Sequence, residues 1–220
     1  MRKYLILFLF FLSSCSSISY NDLNPCKNPN KHLLPSLEPI IDVYNLEAIY
    51  SKGRYEGLSA NITYSGTYTG VSSISGIQYG DPRVNDTINI FNKEVKDNIT
   101  NPYGEKKGYI SLRLTNRLSE NSDCYLLFSS LTGCLLNIIG FPFNKVSDTL
   151  EMEVEILNKN KEIVKRYTEV VLNSNYVAMY WGYSENDVLR KVAADNIKQG
   201  LEKIRFKIEE DFDIIEKSLK

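Results

Sequence analysis

The residue with the clearest chemistry in this sequence is Cys15, a thiol that follows a short apolar segment. A positively charged start at residues 1–3 precedes a hydrophobic stretch at residues 4–12, which is too short for an ordinary membrane span. Leu12-Ser13-Ser14-Cys15 then has the order of a lipobox: a branched apolar residue, two small residues and a cysteine whose sulfur can receive diacylglycerol. An ordinary signal peptide or N-terminal anchor is the alternative. The pattern predicts lipidation of Cys15 and attachment to membrane lipid.

Residues that could perform catalysis are scarce. The single histidine, His32, lies in a polar stretch where a general base could not be held close to a nucleophile. Glu151, Glu153 and Glu155 share one face of a predicted strand, but a divalent metal needs ligands from several elements, and a strand face in water explains them more simply. We therefore expect no enzyme activity, no catalytic residue, no metal site and no cofactor.

A cluster of aromatic residues precedes the last predicted helix and could bind a glycan. Aromatic rings stack on sugar rings because they offer an apolar face with a polar rim. Packing at the edge of the sheet is the alternative explanation. The cluster consists of Tyr176, Tyr180, Trp181 and Tyr183.

Residues 124–144 contain no charged side chain over 21 positions. That length reaches the ~20 residues of a membrane-spanning helix, but its Ser, Thr, Asn, Gly and Pro residues interrupt the apolar pattern. Three interpretations stay open: a helix or hairpin in the core, contact with a partner or the membrane surface, and a true span. The residues predicted to make such a contact are Leu127, Leu131, Leu135, Ile138 and Ile139.

Charge and cysteine content limit the remaining function classes. Removal of residues 1–14 leaves 220 − 14 = 206 residues, with 24 basic against 27 acidic side chains, so we expect no nucleic-acid partner. Cys26, Cys124 and Cys134 remain as thiols. Three is an odd number, so at most one disulfide can form within the chain, and no spacing predicts its pairing.

The sequence divides into three parts that would position these groups. We predict a lipoprotein signal peptide at residues 1–14, a lipidated flexible tether at 15–36 and a single α+β domain at 37–220. The tether is rich in Ser, Asn and Pro. Four glycines between residues 66 and 80 favour a long loop over a phosphate-binding turn, because no Lys-Ser/Thr ending follows them.

Apolar periodicity predicts the elements of the domain. Spacings of three and four indicate a helix over residues 86–99 and one long or two consecutive helices from 184 to 219, with Gly200 as a candidate bend. Beyond residue 206 this helix is predicted either to end in solvent or to bind a partner. Alternation indicates a strand over 108–117 and a hairpin over 150–172. The predicted fold is α+β: an antiparallel sheet with two helices packed on one face and an apolar insertion between strands.

Four segments carry a resemblance to known proteins: NPYGEKKGY at 101–109, LLNIIGFP at 135–142, EILNKNKEIVKRY at 155–167 and YVAMYWGYS at 176–184. This half of the chain resembles a group of uncharacterised outer-membrane lipoproteins of Bacteroidetes-type bacteria. More loosely, the order of elements is similar to small envelope lipoproteins that assist assembly of outer-membrane machinery, including the lipopolysaccharide-transport and curli-secretion types.

The resemblance implies an address rather than an activity. An acidic stretch after the lipidated cysteine accompanies surface export in such bacteria, and residues 16–20 have none, which favours the periplasmic face of the outer membrane over the cell surface. We expect a non-catalytic, lipid-anchored cell-envelope lipoprotein that binds or stabilises an envelope protein partner. The alternative is a glycan-binding surface lipoprotein that uses the aromatic cluster.

Overall fold

The computed structural model describes residues 23–25, 28–51, 80–122, 124–178 and 184–219, and it is α+β as predicted. One sheet has the strand order β1-β2-β3-β4. Its strands are β1 (Leu37–Ile41), β2 (Gly108–Asn121), β3 (Asn144–Asn158) and β4 (Ile163–Val177). The helices of the described ranges are α1 (Val43–Ser51), α2 (Pro82–Glu94), α3 (Cys124–Leu131), α4 (Leu135–Ile138), α5 (Glu185–Glu210) and α6 (Phe212–Ser218).

The β3–β4 hairpin is confirmed and is longer than predicted. Even-numbered residues of β3 from Val146 to Ile156 are buried and odd-numbered ones are half-buried, so one face of the hairpin points to the core and the other to water. The connecting turn is organised by Asn158, whose Oδ1 accepts hydrogen bonds from the backbone N–H groups of Asn160 and Glu162 at 2.9 Å each. Alternation and a polar turn were sufficient to predict this unit.

The sheet is mixed, which corrects the prediction of a wholly antiparallel sheet. β2 pairs antiparallel with β3, but β1 pairs parallel with β2, with Leu37 opposite Gly108. Parallel strands need a crossover connection, and α1 and α2 lie in the chain between these two strands. β2 also contains a bulge between Leu114 and Asn116, where the Leu114 N–H donates to Asn45 Oδ1 of α1 at 2.9 Å.

The core lies between the sheet and the helices. Buried residues of β2 and β3, such as Ile110 and Met152, belong to one apolar cluster with Ile90 of α2 and Ile197 of α5. Gly200, the candidate bend, lies inside α5, which continues through it without a break. A Cβ atom at this position would lie 2.4 Å from the Met152 side chain, so the missing side chain allows close packing between helix and sheet.

The two main helices begin at residues with capping side chains. Ser184 caps α5, its hydroxyl accepting from the Asp187 N–H at 3.4 Å. The cap of α2 is Asp81, followed by Pro82, so this helix begins four residues before the predicted start at residue 86. Asp86 lies inside the helix, and its carboxylate pairs with Arg190 of α5 at 2.5 and 2.8 Å. A π-helical turn, Val95–Ile99, continues α2 to the predicted end.

The C-terminal end of the chain packs on the body, although the charge pattern allowed it to project. α5 ends at Glu210 and α6 follows after Asp211. Ile208, Ile215 and Leu219 are buried in the main core cluster, so the apolar stripe is used within the fold.

Part of the predicted tether is folded. Leu34 is fully buried and forms a parallel bridge with Thr100, and Leu23 and Asn30 are buried too. Asn30 donates from Nδ2 to the carbonyl oxygen of Arg205 in α5 at 3.3 Å. The folded body therefore begins before residue 37, because isolated leucines of this polar stretch complete the core. Residues 15–22, 26 and 27 lie outside the described residues.

Candidate functional site

The uncharged segment forms a compact helical hairpin that leaves the sheet between β2 and β3. Two backbone hydrogen bonds hold its base: Ser122 N–H to the Lys145 carbonyl at 3.0 Å, and Phe143 N–H to the Val177 carbonyl at 2.7 Å. The hairpin therefore rises from one end of a rigid sheet rather than from a loop.

The tip of the hairpin reverses direction within a few residues. Gly133 and Cys134 have left-handed backbone conformations, with φ of 56° and 64°, and the Cys134 N–H donates to the Ser129 carbonyl at 2.8 Å. A left-handed residue after a helix satisfies carbonyls that the helix leaves open. α3 thus ends in a tight cap, and α4 starts directly after it.

The large side chains of this hairpin point outward. All five residues predicted to make a contact are exposed, and Leu126 and Phe128 join them, with exposed fractions between 51% and 80%. Together they form what we call the apolar hairpin surface: Leu126, Leu127, Phe128, Leu131, Leu135, Ile138 and Ile139. Of the three interpretations of this segment, a helix or hairpin in the core is contradicted at these seven positions. Valines of β3, β4 and α5 already close the core at this end of the sheet: Val146, Val177, Val188 and Val192.

The polar side chains of the hairpin are hydrogen-bonded within it. The hydroxyls of Ser129 and Ser130 donate to the carbonyls of Tyr125 and Leu126 at 2.9 Å each. The Thr132 hydroxyl donates to the Phe128 carbonyl at 3.0 Å. These groups consequently do not interrupt the apolar surface with donors that need a partner from outside.

Buried Asn137 is hydrogen-bonded through its amide nitrogen. Its Nδ2 donates to the Phe141 carbonyl at 3.0 Å, across the turn that follows α4, whereas its Oδ1 is buried with no hydrogen-bond partner among the described residues. The bond closes the second half of the hairpin, and burial keeps the amide away from the outer surface.

Aromatic rings and one lysine lie at the base of the hairpin. The Tyr125 ring is 5.8 Å from Phe141 and 5.7 Å from Tyr176 of β4, and the second of these contacts is edge-to-face. The Lys145 ammonium lies 5.9 Å from the centre of the Tyr176 ring. A hydrogen bond with Tyr176 raises the pKa of the Tyr125 hydroxyl. These residues separate the apolar hairpin surface from the polar sheet.

The aromatic cluster predicted to bind a glycan is described at one position. Tyr176 is half-buried and packs against Tyr125, which agrees with sheet-edge packing for this ring. Tyr180, Trp181 and Tyr183 lie outside the described residues, so glycan stacking stays a prediction.

Two of the four cysteines lie within the described residues. Cys124 and Cys134 are free and exposed, one at the base of the hairpin and one at its tip. Cys15 and Cys26 lie outside the described residues, so lipidation of Cys15 stays a prediction.

A second polar region, which the sequence reasoning missed, lies inside the fold. Arg117 of β2 and Asp148 of β3 form an ion pair at 2.8 Å with both side chains buried. Asn196 of α5 donates to the Asp148 carboxylate at 3.1 Å. Burial raises the pKa of Asp148 and lowers the pKa of Arg117, and their mutual attraction opposes both shifts. The available signal was the position of Asp148, which alternation assigns to the buried face of β3.

Tyr50 extends this polar region towards α2. The guanidinium groups of Arg83 and Arg117 lie 5.0 and 5.6 Å from the centre of its ring. Its hydroxyl is 2.8 Å from that of Thr87, which itself donates to the Arg83 carbonyl, so Tyr50 is the donor of this pair. Burial raises the pKa of Tyr50 to about 12. The ring is therefore held neutral at physiological pH.

A second buried ion pair joins α2 and α5. Arg205 Nε is 3.2 Å from a Glu94 carboxylate oxygen, and the other oxygen accepts from Asn98 Nδ2 at 2.6 Å. Burial raises the pKa of Glu94. Together with the Asp86–Arg190 pair, this contact shows that the two helices run in the same general direction. The charges of the interior thus fix the arrangement of helices and sheet.

The remaining candidates for chemistry are engaged in simple surface contacts. Arg166 of β4 pairs with Glu155 at 2.5 Å and with Glu153 at 3.5 Å on the open face of the sheet. His32 is exposed and lies 5.3 Å from the Phe212 ring. Within the described ranges, no group of three or more His, Cys, Asp or Glu side chains could hold a metal ion. Among the same residues, no helix combines the length and the apolar character needed to cross a membrane.

Neither a protein-family model nor a curated protein matches this chain. The resemblance to envelope lipoproteins accordingly stays a prediction from the four segments that carry it. The apolar hairpin surface is the strongest candidate for a functional site, because it rests on the geometry of this molecule alone.

Proposed function

We propose that this protein is a non-catalytic lipoprotein of the outer membrane, anchored through acylated Cys15, that contacts an envelope partner through the apolar hairpin surface. The periplasmic face is the proposed side, since residues 16–20 carry no acidic stretch. The fold supplies a rigid body, and the hairpin supplies the contact at one end of it.

The observation that carries this proposal is the exposure of seven large apolar side chains within one uncharged segment. Contiguous apolar patches on soluble proteins are usually small, and larger ones mark contact with a protein or a membrane. The hydroxyls of the hairpin are hydrogen-bonded to its own carbonyls, so they do not break up this surface with donors that need an outside partner.

A binding role also accounts for the titratable groups better than catalysis does. The buried carboxylates Asp86, Glu94 and Asp148 are each paired with an arginine, and the pairs join elements of the fold. Groups committed to partners in this way stabilise an arrangement and are not poised to exchange protons with a substrate. We therefore propose that the ionic interior is structural.

The anchor is tested by Cys15→Ala in a chain whose residues 1–14 are replaced by a secretory leader that is cleaved without lipidation. We expect most of the variant to leave the membrane fraction after a salt wash, because the acyl chains provide the main burial in the bilayer. Cys26→Ala in the native chain is the matched control and should stay in the membrane. Equal retention of the two variants, or the absence of a diacylglycerol mass on the native N-terminal peptide, would contradict the lipoprotein proposal.

A further inference from the structure

We infer that the occupant of the apolar hairpin surface is lipid: the hairpin enters the interfacial layer of the bilayer that holds the acyl chains of Cys15. This inference rests on the proposed lipidation and names the partner of the same surface. A protein partner is the competing occupant.

The internal hydrogen bonds favour lipid over protein. A protein interface has a polar rim and about one hydrogen bond per 100–200 Å², so exposed donors and acceptors are useful there. In hydrocarbon each unsatisfied polar group is costly. Ser129, Ser130 and Thr132 donate to carbonyls of α3, and buried Asn137 donates to Phe141. The hairpin thus meets the requirement of a lipid environment at its three hydroxyls, and the Asn137 Oδ1, which has no partner in the part of the chain that the structure describes, is buried away from the apolar hairpin surface.

The base of the hairpin has the side chains that proteins place at a membrane–water boundary. Tyrosine is enriched at the headgroup level, and lysine extends its charge towards water while its stem stays in the apolar layer. Tyr125, Tyr176 and Lys145 lie together where the apolar hairpin surface meets the sheet. Lys145 is also the first charged residue after the uncharged segment. The end of the uncharged segment in the sequence therefore coincides with the place where the apolar hairpin surface meets the sheet.

The size of the hairpin limits how deep it can go. α3 has eight residues, which corresponds to about 12 Å of helix, against a hydrocarbon core of about 30 Å. An amphipathic element of this size fits the headgroup and upper acyl layer, about 5–10 Å deep. The hairpin is consequently a shallow second contact beside the acyl chains.

The length of chain between Cys15 and the folded body limits how far the acyl anchor can lie from that body. Eight peptide units separate Cys15 from Leu23, a reach of at most about 28 Å. The next residue, Asn24, accepts a hydrogen bond from Lys93 of α2 at 2.6 Å.

The hairpin lies towards the end of the molecule where α2 and α5 begin. α2 and α5 run in the same general direction, and α5 begins beside the end of β2, where Asn121 donates to Glu185 at 2.9 Å. From Lys93 to Pro82 the helix extends about 17 Å towards that end, as eleven residues rise 1.5 Å each. A tether of up to about 28 Å can span this length of α2, so Cys15 is not held at the end of the body opposite the hairpin.

The native thiol at the hairpin tip provides the test. In lipidated full-length protein carrying Cys26→Ser and Cys124→Ser, Cys134 is labelled with an environment-sensitive nitrobenzoxadiazole maleimide. The protein is then reconstituted into phosphatidylethanolamine–phosphatidylglycerol vesicles. The matched control places the label at Asn160→Cys with Cys134→Ser, in the β3–β4 turn at the opposite end of the sheet.

We expect a blue-shifted emission from Cys134, with stronger quenching by lipids whose doxyl group lies high on the acyl chain than by lipids doxylated near the chain end. The label at residue 160 should emit as in water. Leu131→Asn with Leu135→Asn should move the Cys134 signal towards that of the control. Protein that floats with the vesicles but keeps a water-like Cys134 signal would overturn the lipid inference and leave the lipoprotein proposal intact. Protein that does not float would instead contradict the proposed lipid anchor and, with it, this inference.

Discussion

The apolar hairpin and the helix–sheet interior invert the usual placement of polar and apolar side chains. The hairpin exposes leucine, isoleucine and phenylalanine and bonds its hydroxyls to its own helix carbonyls, whereas the interior buries Arg117, Asp148, Glu94 and Arg205. Both departures are costly in isolation, and both are compensated locally, by backbone carbonyls in one region and by opposite charges in the other. The interior is thus stabilised as one fixed structure, whereas the hairpin presents its apolar side chains to the outside, where we propose that the contact is made.

The largest loss of stability is expected when a charged side chain without a partner is placed in the interior. Val154→Asp places a carboxylate on the fully buried face of β3 and should cost about 5 kcal/mol or more, enough to unfold a marginally stable domain. Glu153→Lys on the open face should cost less than about 1 kcal/mol, because its partner Arg166 is an exposed side chain. Urea unfolding followed by circular dichroism measures both. Equal stability of the two variants would contradict the facing of β3.

The next largest loss of stability is expected when one member of a buried ion pair is removed and the other stays. Arg117→Met leaves Asp148 buried without its counter-ion and should lower the free energy of unfolding by about 3–5 kcal/mol. Adding Asp148→Leu should recover much of this loss, since replacing a whole buried pair with apolar residues is often close to neutral. A double variant that is less stable than Arg117→Met would mean that Asp148 has a structural role independent of Arg117.

A smaller effect concerns the neutral form of Tyr50. Its folded pKa of about 12 lies above the unfolded value of 10, so stability is complete below pH 10 and is lost as the pH rises towards 12, by about 1.4 kcal/mol per pH unit. Tyr50→Phe should cost about 1 kcal/mol at pH 8 through the lost hydrogen bond to Thr87 and should flatten this alkaline decline.

Thermal unfolding of the native protein and of Tyr50→Phe, measured from pH 8 to 11.5 in steps of about half a pH unit, tests this pH dependence of stability. The pKa of Tyr167 is also raised by burial, so part of the alkaline decline should remain in the variant. Parallel curves for the two proteins would show that Tyr50 ionises in the folded state as readily as in the unfolded chain.

The smallest effect on stability is expected in the hairpin. Leu131→Asn with Leu135→Asn should change the free energy of unfolding by less than about 0.5 kcal/mol per site, because both side chains are already exposed. Leu112→Asn is the matched control, since this leucine is buried in β2 and its replacement should cost about 2–5 kcal/mol. Equal losses in the two proteins would remove the distinction between hairpin and interior.

Local patterns were enough to predict part of the fold. Alternation along β3 and β4 and the spacing of apolar residues in α5 repeat the geometry of strand and helix, so these elements follow from the sequence itself. The parallel pairing of β1 could not be predicted in this way, because it joins residues 71 positions apart (108 − 37) and leaves no local pattern. The burial of Leu34 could not be predicted either, because a single apolar residue in a polar stretch forms no periodic pattern.

The candidate site shows the same limit. Composition identified residues 124–144 as unusual, but an apolar side chain reads the same in sequence whether it faces the core or the outside. What decides the outcome is whether space remains in the core, and valines from three separate elements fill that space. The pairing of Asp148 with Arg117 likewise depends on the register between β2 and β3, which the residues of neither strand reveal alone.

The pairing of β1 with β2 has a consequence for the order of assembly. The two strands of the β3–β4 hairpin are separated by four residues, so their contacts close a short loop, whereas β1 must return across a separation of 71 positions (108 − 37). We therefore expect the hairpin to form early and the N-terminal segment to dock late. A chain that binds its membrane through Cys15 would then be tethered at the part that folds last, and acylation would not need to wait for a finished body.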